Sequence, residues 1–134
     1  MTGVFRPLRA HSADTVLSFR VLTADKIRPL TEMRVFLESI QQVTTGITAN
    51  DMQLVAEYAR KSGKAAQGDV PGTLVGKLPV QFKKLGFDTH AKFDQLALDA
   101  EEFGDGDHAL SQLSILMKNC TACHAAFRFD ISDE

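Results

Sequence analysis

Apolar residues recur at steps of three and four positions along most of this 134-residue chain. This spacing puts them on one side of an α-helix, and no stretch shows the alternation that is typical of a β-strand. The periodic stretches predict four principal helices, over 24–46, 51–62, 90–103 and 108–129. Four amphipathic helices bury their apolar faces against one another, so the sequence predicts an all-α bundle.

Residues that start or end helices separate these stretches. Asn50 and Asp107 are predicted N-caps of the second and fourth helices, and Asp88 or Thr89 is predicted to cap the third. Pro29 lies inside the first periodic stretch and predicts either a later start or a kink. Residues 63–77 contain four glycines and one proline and are predicted to form a long loop, and 79–85 a short helical turn that ends at Gly86.

The chain length predicts a single domain. Residues 1–22 are interpreted as an N-terminal extension with at most a short helix, and 23–134 as the bundle. Arginines at 6, 9 and 20 interrupt the apolar residues of the N-terminus, which is therefore not typical of a signal peptide. No apolar run approaches the roughly 18 residues of a membrane span. The net charge of −2, without a basic run, argues against nucleic-acid binding.

Both cysteines of the chain fall in the segment NCTACHAAFRF, residues 119–129, and a histidine follows the second directly. Positions i, i+3 and i+4 share one face of a helix. Cys120, Cys123 and His124 are therefore predicted to point the same way, with Phe127 and Arg128 continuing the row one turn later.

Three chemistries use cysteines at this spacing. A redox dithiol needs a helix N-terminus to lower the pKa of its first thiol, whereas this motif lies near the C-terminal end of a helix. A structural zinc site needs about four ligands, so His11, His90 or His108 would have to supply one from elsewhere. A c-type haem uses the whole C-x-x-C-H motif, with two thioether bonds from the cysteines and an imidazole on the iron. The motif favours the haem over the other two.

The segment SQLSILMKNCTACHAAFRF resembles the cytochrome c prime family, including its methionine-ligated low-spin relatives. The segments MRVFLESIQQVTTGITANDMQLVAEYAR and LPVQFKKLGFDTHAKFDQLALDA are similar to that family's first three helices. The resemblance implies an antiparallel four-helix bundle with one haem c. It also implies that Cys120 and Cys123 anchor the haem, that His124 is the proximal iron ligand, and that Arg128 lies in the proximal pocket.

In that family a residue of the first helix faces the sixth position of the iron. A methionine there gives a low-spin electron carrier, whereas leucine or phenylalanine leaves a five-coordinate iron that binds small gases. Met33 is the predicted distal ligand, although methionine on an apolar stripe is often plain core. Leu37, one turn later, is the alternative if the iron is five-coordinate.

The sequence therefore predicts a c-type cytochrome that transfers single electrons and is not an enzyme. A haem protein that binds nitric oxide or carbon monoxide is the first alternative. A haem-free helical interaction module or zinc-binding domain is the second. Expected partners are redox proteins or small gases, and the resemblance leaves a homodimer open. Haem c attachment implies a periplasmic location.

His90 is interpreted as a surface or boundary histidine. The alternatives are that it hydrogen-bonds a haem propionate or ligates the iron from the distal side.

Overall fold

The computed structural model of the protein describes residues 16–68 and 70–132. This part of the chain is mostly helical and also contains a small two-stranded sheet. The elements are β1 Leu17–Leu22, α1 Thr23–Thr48, α2 Met52–Lys61, a 3₁₀ helix Lys64–Gln67, α3 Gly72–Lys77, α4 Val80–Phe103, α5 Gly106–Ala126 and β2 Phe127–Ser132. The predicted helical class is confirmed, and the sheet is an addition to it.

A tight turn joins α1 to α2. The side chain of Asp51 caps α2 by accepting a hydrogen bond from the backbone N–H of Leu54 at 3.0 Å. The predicted cap, Asn50, lies one position too early and instead takes a left-handed conformation with φ 53°. A Cβ atom at Gly46 would lie 2.8 Å from the carbonyl oxygen of Asp51, so only glycine allows the two helices this close.

α1 begins at Thr23 and continues through Pro29, so the later start, one of the two possibilities predicted for Pro29, is wrong. The helix end predicted at Gly86 is absent: α4 continues through this residue, so the short turn over 79–85 and the third predicted helix form one element. A glycine inside a helix costs only about 1 kcal/mol, which packing on both sides can offset. Proline costs more, about 3 kcal/mol in a helix interior. Pro29 is the seventh residue of α1, beyond the first turn, so it removes one helical hydrogen bond there.

The turn between α4 and α5 also differs from its prediction. Gly104 ends α4 in the left-handed region with φ 59°. The side chain of Asp105 accepts hydrogen bonds from the backbone N–H groups of Asp107 and His108, at 3.0 and 3.3 Å. The N-cap of α5 is therefore Asp105, two positions before the predicted Asp107.

The four long helices pack around one apolar core. α1 packs against α2 and α5, and α4 packs against α2 and α5. The apolar periodicity of α4 predicts a shared face of Phe93, Leu96, Ala97 and Ala100, and all four are buried. The periodicity of α5 predicts an apolar face that begins at Leu110, but this residue is 50% exposed. The buried core residues are Phe36, Val43, Val55, Ala56, Ala59, Phe93, Leu96, Ala97, Ala100, Ala109, Leu113 and Leu116. None of the described helices combines the length and the apolar character that crossing a membrane requires.

The two strands were not predicted. β1 and β2 pair in parallel, with Leu17 opposite Phe127 and Leu22 opposite Ser132. The strand β1 lies in the predicted N-terminal extension, whose residues 1–15 are outside the described part. The helix α5 ends at Ala126, not at 129, because the segment FRFDIS joins this sheet.

Aromatic packing attaches the sheet to the helices. Phe19 of β1 and Phe127 and Phe129 of β2 surround Phe82 of α4, with ring centroids 4.7 to 6.4 Å apart. Edge-to-face contacts at such distances are favourable for aromatic rings. Because Phe82 also lines the cavity described next, the sheet supports one wall of that cavity.

Candidate functional site

A cavity of about 480 Å³ lies between α1, α3, α4 and α5. This volume is within the usual range for sites that bind small molecules or cofactors. Its walls are mostly apolar, with a few polar side chains among them. The lining residues that matter below are Glu32, Met33, Phe36 and Leu37 of α1, Leu74 of α3, Phe82, Thr89 and His90 of α4, and Asn119, Cys120, Cys123 and His124 of α5.

The cavity brings together residues that the sequence singled out in two distant segments. Cys120, Cys123 and His124 line it from α5, and Met33 and Leu37 line it from α1. The one-turn spacing of the motif along α5 explains why its three side chains reach the same space. Five of the six predicted site residues therefore border one cavity.

The thiols on α5 are free and half-buried. Burial raises the pKa of Cys120, and burial together with the neighbouring Cys120 raises the pKa of Cys123. A raised thiol pKa leaves less thiolate at neutral pH, so the site is unlike that of a reactive redox dithiol. The sequence argument against a dithiol relied on the position of the motif relative to the helix dipole. In the structure the main cause of the raised thiol pKa values is burial.

Asn119, the residue before the first cysteine, ties α5 to α4. Its side-chain amide donates hydrogen bonds to Asp88 Oδ2 at 2.7 Å and to Thr89 Oγ1 at 3.3 Å. Lys92 also hydrogen-bonds the Asp88 carboxylate, and these two donors hold the pKa of Asp88 below its ordinary value. The backbone of the motif is thereby fixed against the opposite wall.

The α1 wall carries both predicted distal residues, Met33 as a ligand and Leu37 as the residue expected if the iron is five-coordinate. Met33 is half-buried and packs against the core, whereas Leu37 is 68% exposed. Phe36, between them in sequence, is buried and stacks on Phe93 with ring centroids 5.6 Å apart. Met33 therefore both packs against the core and lines the cavity. Leu37 borders the cavity as well.

His90 is buried, with 2% of its surface exposed, so its interpretation as a surface histidine is wrong. Its Nδ1 donates a hydrogen bond to the carbonyl oxygen of Ser62 at 2.7 Å. Its Nε2 lies 2.5 Å from Glu32 Oε1. Sequence reasoning missed this pair, because the two residues are 58 positions apart and no local pattern relates them.

The surroundings of His90 favour its charged form. Burial alone would lower the pKa of His90, but the hydrogen bonds to Glu32 and Ser62 and the charge of Glu32 outweigh it. The net effect is a raised pKa. Both ring nitrogens therefore face acceptors and carry protons in the imidazolium form. Behind this pair, the hydroxyl of Ser62 donates to the buried hydroxyl of Ser39 at 2.7 Å.

Arg128 is the predicted site residue that does not border the cavity. It was placed on the helix one turn after His124, and that placement is wrong because α5 ends at Ala126. In β2, Arg128 Nε donates a hydrogen bond to Ser18 Oγ at 2.5 Å and lies 3.8 Å from Asp130 Oδ1. Its contacts therefore support the strand pair.

Two further predicted features can be compared with the described residues. The loop predicted over 63–77 contains α3, whose Leu74 is buried and borders the cavity. Within residues 16–68 and 70–132, no three or more His, Cys, Asp or Glu side chains form a group that could hold a metal ion. His11, named as a source of a fourth zinc ligand, lies outside the described residues.

The chain matches no family model, no curated protein and no solved structure. The cavity and the side chains that line it are therefore the basis on which a function can be inferred.

Proposed function

We propose that the protein is a c-type cytochrome that carries single electrons through one covalently attached haem. One observation carries this proposal. The C-x-x-C-H residues Cys120, Cys123 and His124 border a largely apolar cavity of about 480 Å³ whose other wall presents Met33. This donor set matches what a c-type haem requires, two thiols for thioether bonds and an imidazole for the iron.

The fold that accompanies this proposal is an antiparallel four-helix bundle built from α1, α2, α4 and α5. Each of these helices packs against two others in a closed order, α1 with α2, α2 with α4, α4 with α5, and α5 with α1. Bundles of this kind place cofactor sites between facing helices. The cavity between α1, α4 and α5 is such a position.

In this proposal each group of residues has a separate task. Cys120 and Cys123 would hold the haem through thioether bonds, and His124 and Met33 would be the two protein ligands of its iron. The haem, when bound, supplies an iron that changes between its ferric and ferrous forms. The apolar side chains of the walls exclude water, which tunes the potential and limits side reactions. Asn119 holds the anchoring segment of α5 in place through Asp88.

The test is whether a haem is covalently attached to the chain. Protein made in a host that attaches haem c should show an added mass of one haem that persists after denaturation. Its pyridine haemochrome spectrum should be that of a haem with two thioether bonds. The variant Cys120→Ser/Cys123→Ser should lose that mass, and Ser114→Ala, an exposed change on the same helix, should keep it. Native protein with both thiols free to alkylate would refute the proposal.

A second candidate function is the binding of a small gas such as nitric oxide or carbon monoxide. The observation that favours it is that Leu37, which cannot ligate iron, borders the same cavity as Met33. Rapid, stoichiometric binding of carbon monoxide to the reduced protein would favour this function over a firm Met33 ligand. The variant Met33→Leu should bind carbon monoxide in either case, which makes it the positive control.

Location and partners follow from the haem. Attachment of haem c takes place outside the cytoplasm, so we propose that the mature protein is periplasmic and exchanges electrons with other redox proteins. A homodimer is the assembly that accompanies the proposal. Sedimentation of the haem-loaded protein would distinguish a monomer from a dimer, and fractionation of the host would locate it.

A further inference from the structure

Two histidines border the cavity, and they differ in whether a ring nitrogen is available. His124 on α5 is exposed and, among the described residues, has no hydrogen-bond or ion-pair partner. His90 on α4 has both nitrogens occupied, one by Ser62 and the other by Glu32. An imidazole is a strong iron ligand, so a cavity that holds a haem needs something to keep the second histidine from the metal.

The two partners of His90 do different things to its ring. The carbonyl of Ser62 can only accept, so Nδ1 must carry a proton. In a neutral ring with that proton on Nδ1, the lone pair is on Nε2. Metal-binding histidines commonly have this arrangement, with Nδ1–H held by a backbone carbonyl and Nε2 free to ligate. Ser62 therefore prepares His90 to bind a metal, and Glu32 is the group that occupies the ligating nitrogen.

We propose that Glu32 prevents His90 from ligating the haem iron and so leaves the sixth position to the residues of α1. This inference rests on the proposed haem function. Its basis is the placement of Glu32 and His90 on the wall of the cavity that Met33, Cys120 and Cys123 also line. The carboxylate accepts the proton on Nε2 at 2.5 Å, and a protonated nitrogen has no lone pair to offer.

Whether Nε2 of His90 is blocked would determine which ligands the haem iron binds. With Nε2 blocked, the sixth position holds a thioether or remains open to a gas. With Nε2 released, two imidazoles would bind the iron, which changes the potential and closes the site to carbon monoxide. Glu32 is thus a residue that determines ligand specificity without touching the iron.

The test removes the carboxylate in haem-loaded protein. Glu32→Ala takes away the partner of Nε2, and Glu32→Leu does the same while keeping most of the volume. Glu32→Gln keeps an amide at hydrogen-bond distance and should preserve the native state. Glu38→Ala removes an exposed carboxylate from the same helix, outside the cavity lining, and is the matched control. The double variant Glu32→Ala/His90→Gln removes the competing imidazole as well.

The readouts are the ferric and ferrous absorption spectra, the ferric electron paramagnetic resonance spectrum and carbon monoxide binding. We expect Glu32→Ala and Glu32→Leu to show a shift to bis-imidazole ligation and a loss of carbon monoxide binding. The double variant should lose this signature, and Glu32→Gln and Glu38→Ala should keep the native spectra. If Glu32→Ala or Glu32→Leu contains haem and shows the native spectra, the inference is wrong.

Failure of the inference is distinguishable from failure of the proposed function. If native protein carries no haem mass, the proposed function fails. If native and variant proteins both carry haem and share one spectrum, only the inference fails. Should Glu32→Ala not retain haem, ¹⁵N nuclear magnetic resonance of His90 in haem-free protein gives the answer. The native ring should keep the proton on Nε2 to a higher pH than the ring of Glu32→Ala does, because only the native ring has the Glu32 carboxylate as acceptor. An Nε2 proton that is equally persistent in both proteins would overturn the inference.

Discussion

His124 and His90 border the same cavity, the first from α5 and the second from α4, yet their surroundings differ at both ring nitrogens. His124 is exposed and unpartnered within the described residues, next to two free thiols. His90 is buried between Ser62 and Glu32, whose hydrogen bonds raise its pKa above the ordinary value. The comparison shows that the partners of its nitrogens, more than its closeness to a cavity, decide what a histidine can do.

Replacing the two histidines one at a time should have its largest effect on iron ligation. His124→Ala should lower the yield of attached haem and remove the native axial spectrum from any haem that remains, because it takes away the proposed proximal ligand. His90→Gln should leave the ligation spectrum unchanged. Visible and electron paramagnetic resonance spectra of purified protein would measure both.

His108→Ala is the control for this experiment, since His108 is 44% exposed at the other end of α5 and does not line the cavity. A native spectrum in His124→Ala would contradict the assigned role of His124. A changed ligation spectrum in His90→Gln would show that His90 already contacts the iron.

The next effect is on the stability of haem-free protein. Here replacing His90 should have a larger effect than replacing His124. His90→Leu leaves the Ser62 carbonyl and the Glu32 carboxylate without their partner, and breaking a buried ion pair costs about 3 kcal/mol. This is the lower end of the usual range, because the Glu32 side chain is 32% exposed. His124→Ala changes an exposed side chain and should alter the free energy of unfolding by less than about 0.5 kcal/mol.

Urea unfolding of the two haem-free variants and the native protein would measure this difference. Equal midpoints for His90→Leu and the native protein would show that the buried pair contributes nothing net to stability.

The two histidines also show how far the sequence could predict the site. The C-x-x-C-H residues are neighbours along one helix, so their shared face follows from helix geometry alone. The His90–Glu32 pair joins α4 to α1 across 58 positions, and only the folded chain brings the two residues together. Local spacing predicted the anchors of the cavity, and tertiary packing provided the partners.

The same distinction applies to the fold. The buried face of α4, with Phe93, Leu96, Ala97 and Ala100, follows from its periodicity and was predicted. The segment FRFDIS has apolar residues at 127, 129 and 131, and this alternation is typical of a strand. The predicted fourth helix nevertheless included its first three residues. Its partner β1 lies 110 positions away, so the pairing itself was beyond sequence reasoning.

The stability that His90 contributes should depend on pH. The pKa of His90 is raised above its ordinary 6.5, so its protonation stabilises the folded state. This contribution is complete below about pH 6.5 and is lost as the pH rises through the raised folded-state pKa. The stability advantage of native haem-free protein over His90→Leu should therefore shrink as the pH rises above the ordinary histidine pKa and through the raised one.

Urea unfolding across that range would check the sign, with His124→Ala as the control that should run parallel to the native protein. An advantage that grows with rising pH would mean that His90 is buried in its neutral form. The assignment of protons to both of its nitrogens would then be wrong.

The smallest expected effect concerns Asn119, which joins the two walls next to the first cysteine. Asn119→Ala removes hydrogen bonds to Asp88 and Thr89, and should lower the free energy of unfolding by about 0.5 kcal/mol, because Asp88 is exposed to water. The pKa of Asp88 should rise toward its ordinary value, since one of its two donors is lost while Lys92 remains. Urea unfolding and a titration of the Asp88 carboxyl by nuclear magnetic resonance would measure the two changes.

Thr121→Ala is the matched control, because Thr121 is exposed on the same helix and its hydroxyl bonds only to the Lys118 carbonyl of α5 among the described residues. The lowered pKa of Asp88 stabilises the fold above the ordinary carboxyl pKa, and this contribution is lost as the pH falls through the folded-state value. The difference between native protein and Asn119→Ala should therefore decrease in acid. An Asp88 pKa that Asn119→Ala leaves unchanged would mean that Lys92 alone lowers it, and that the motif is held against α4 by packing instead of this hydrogen bond.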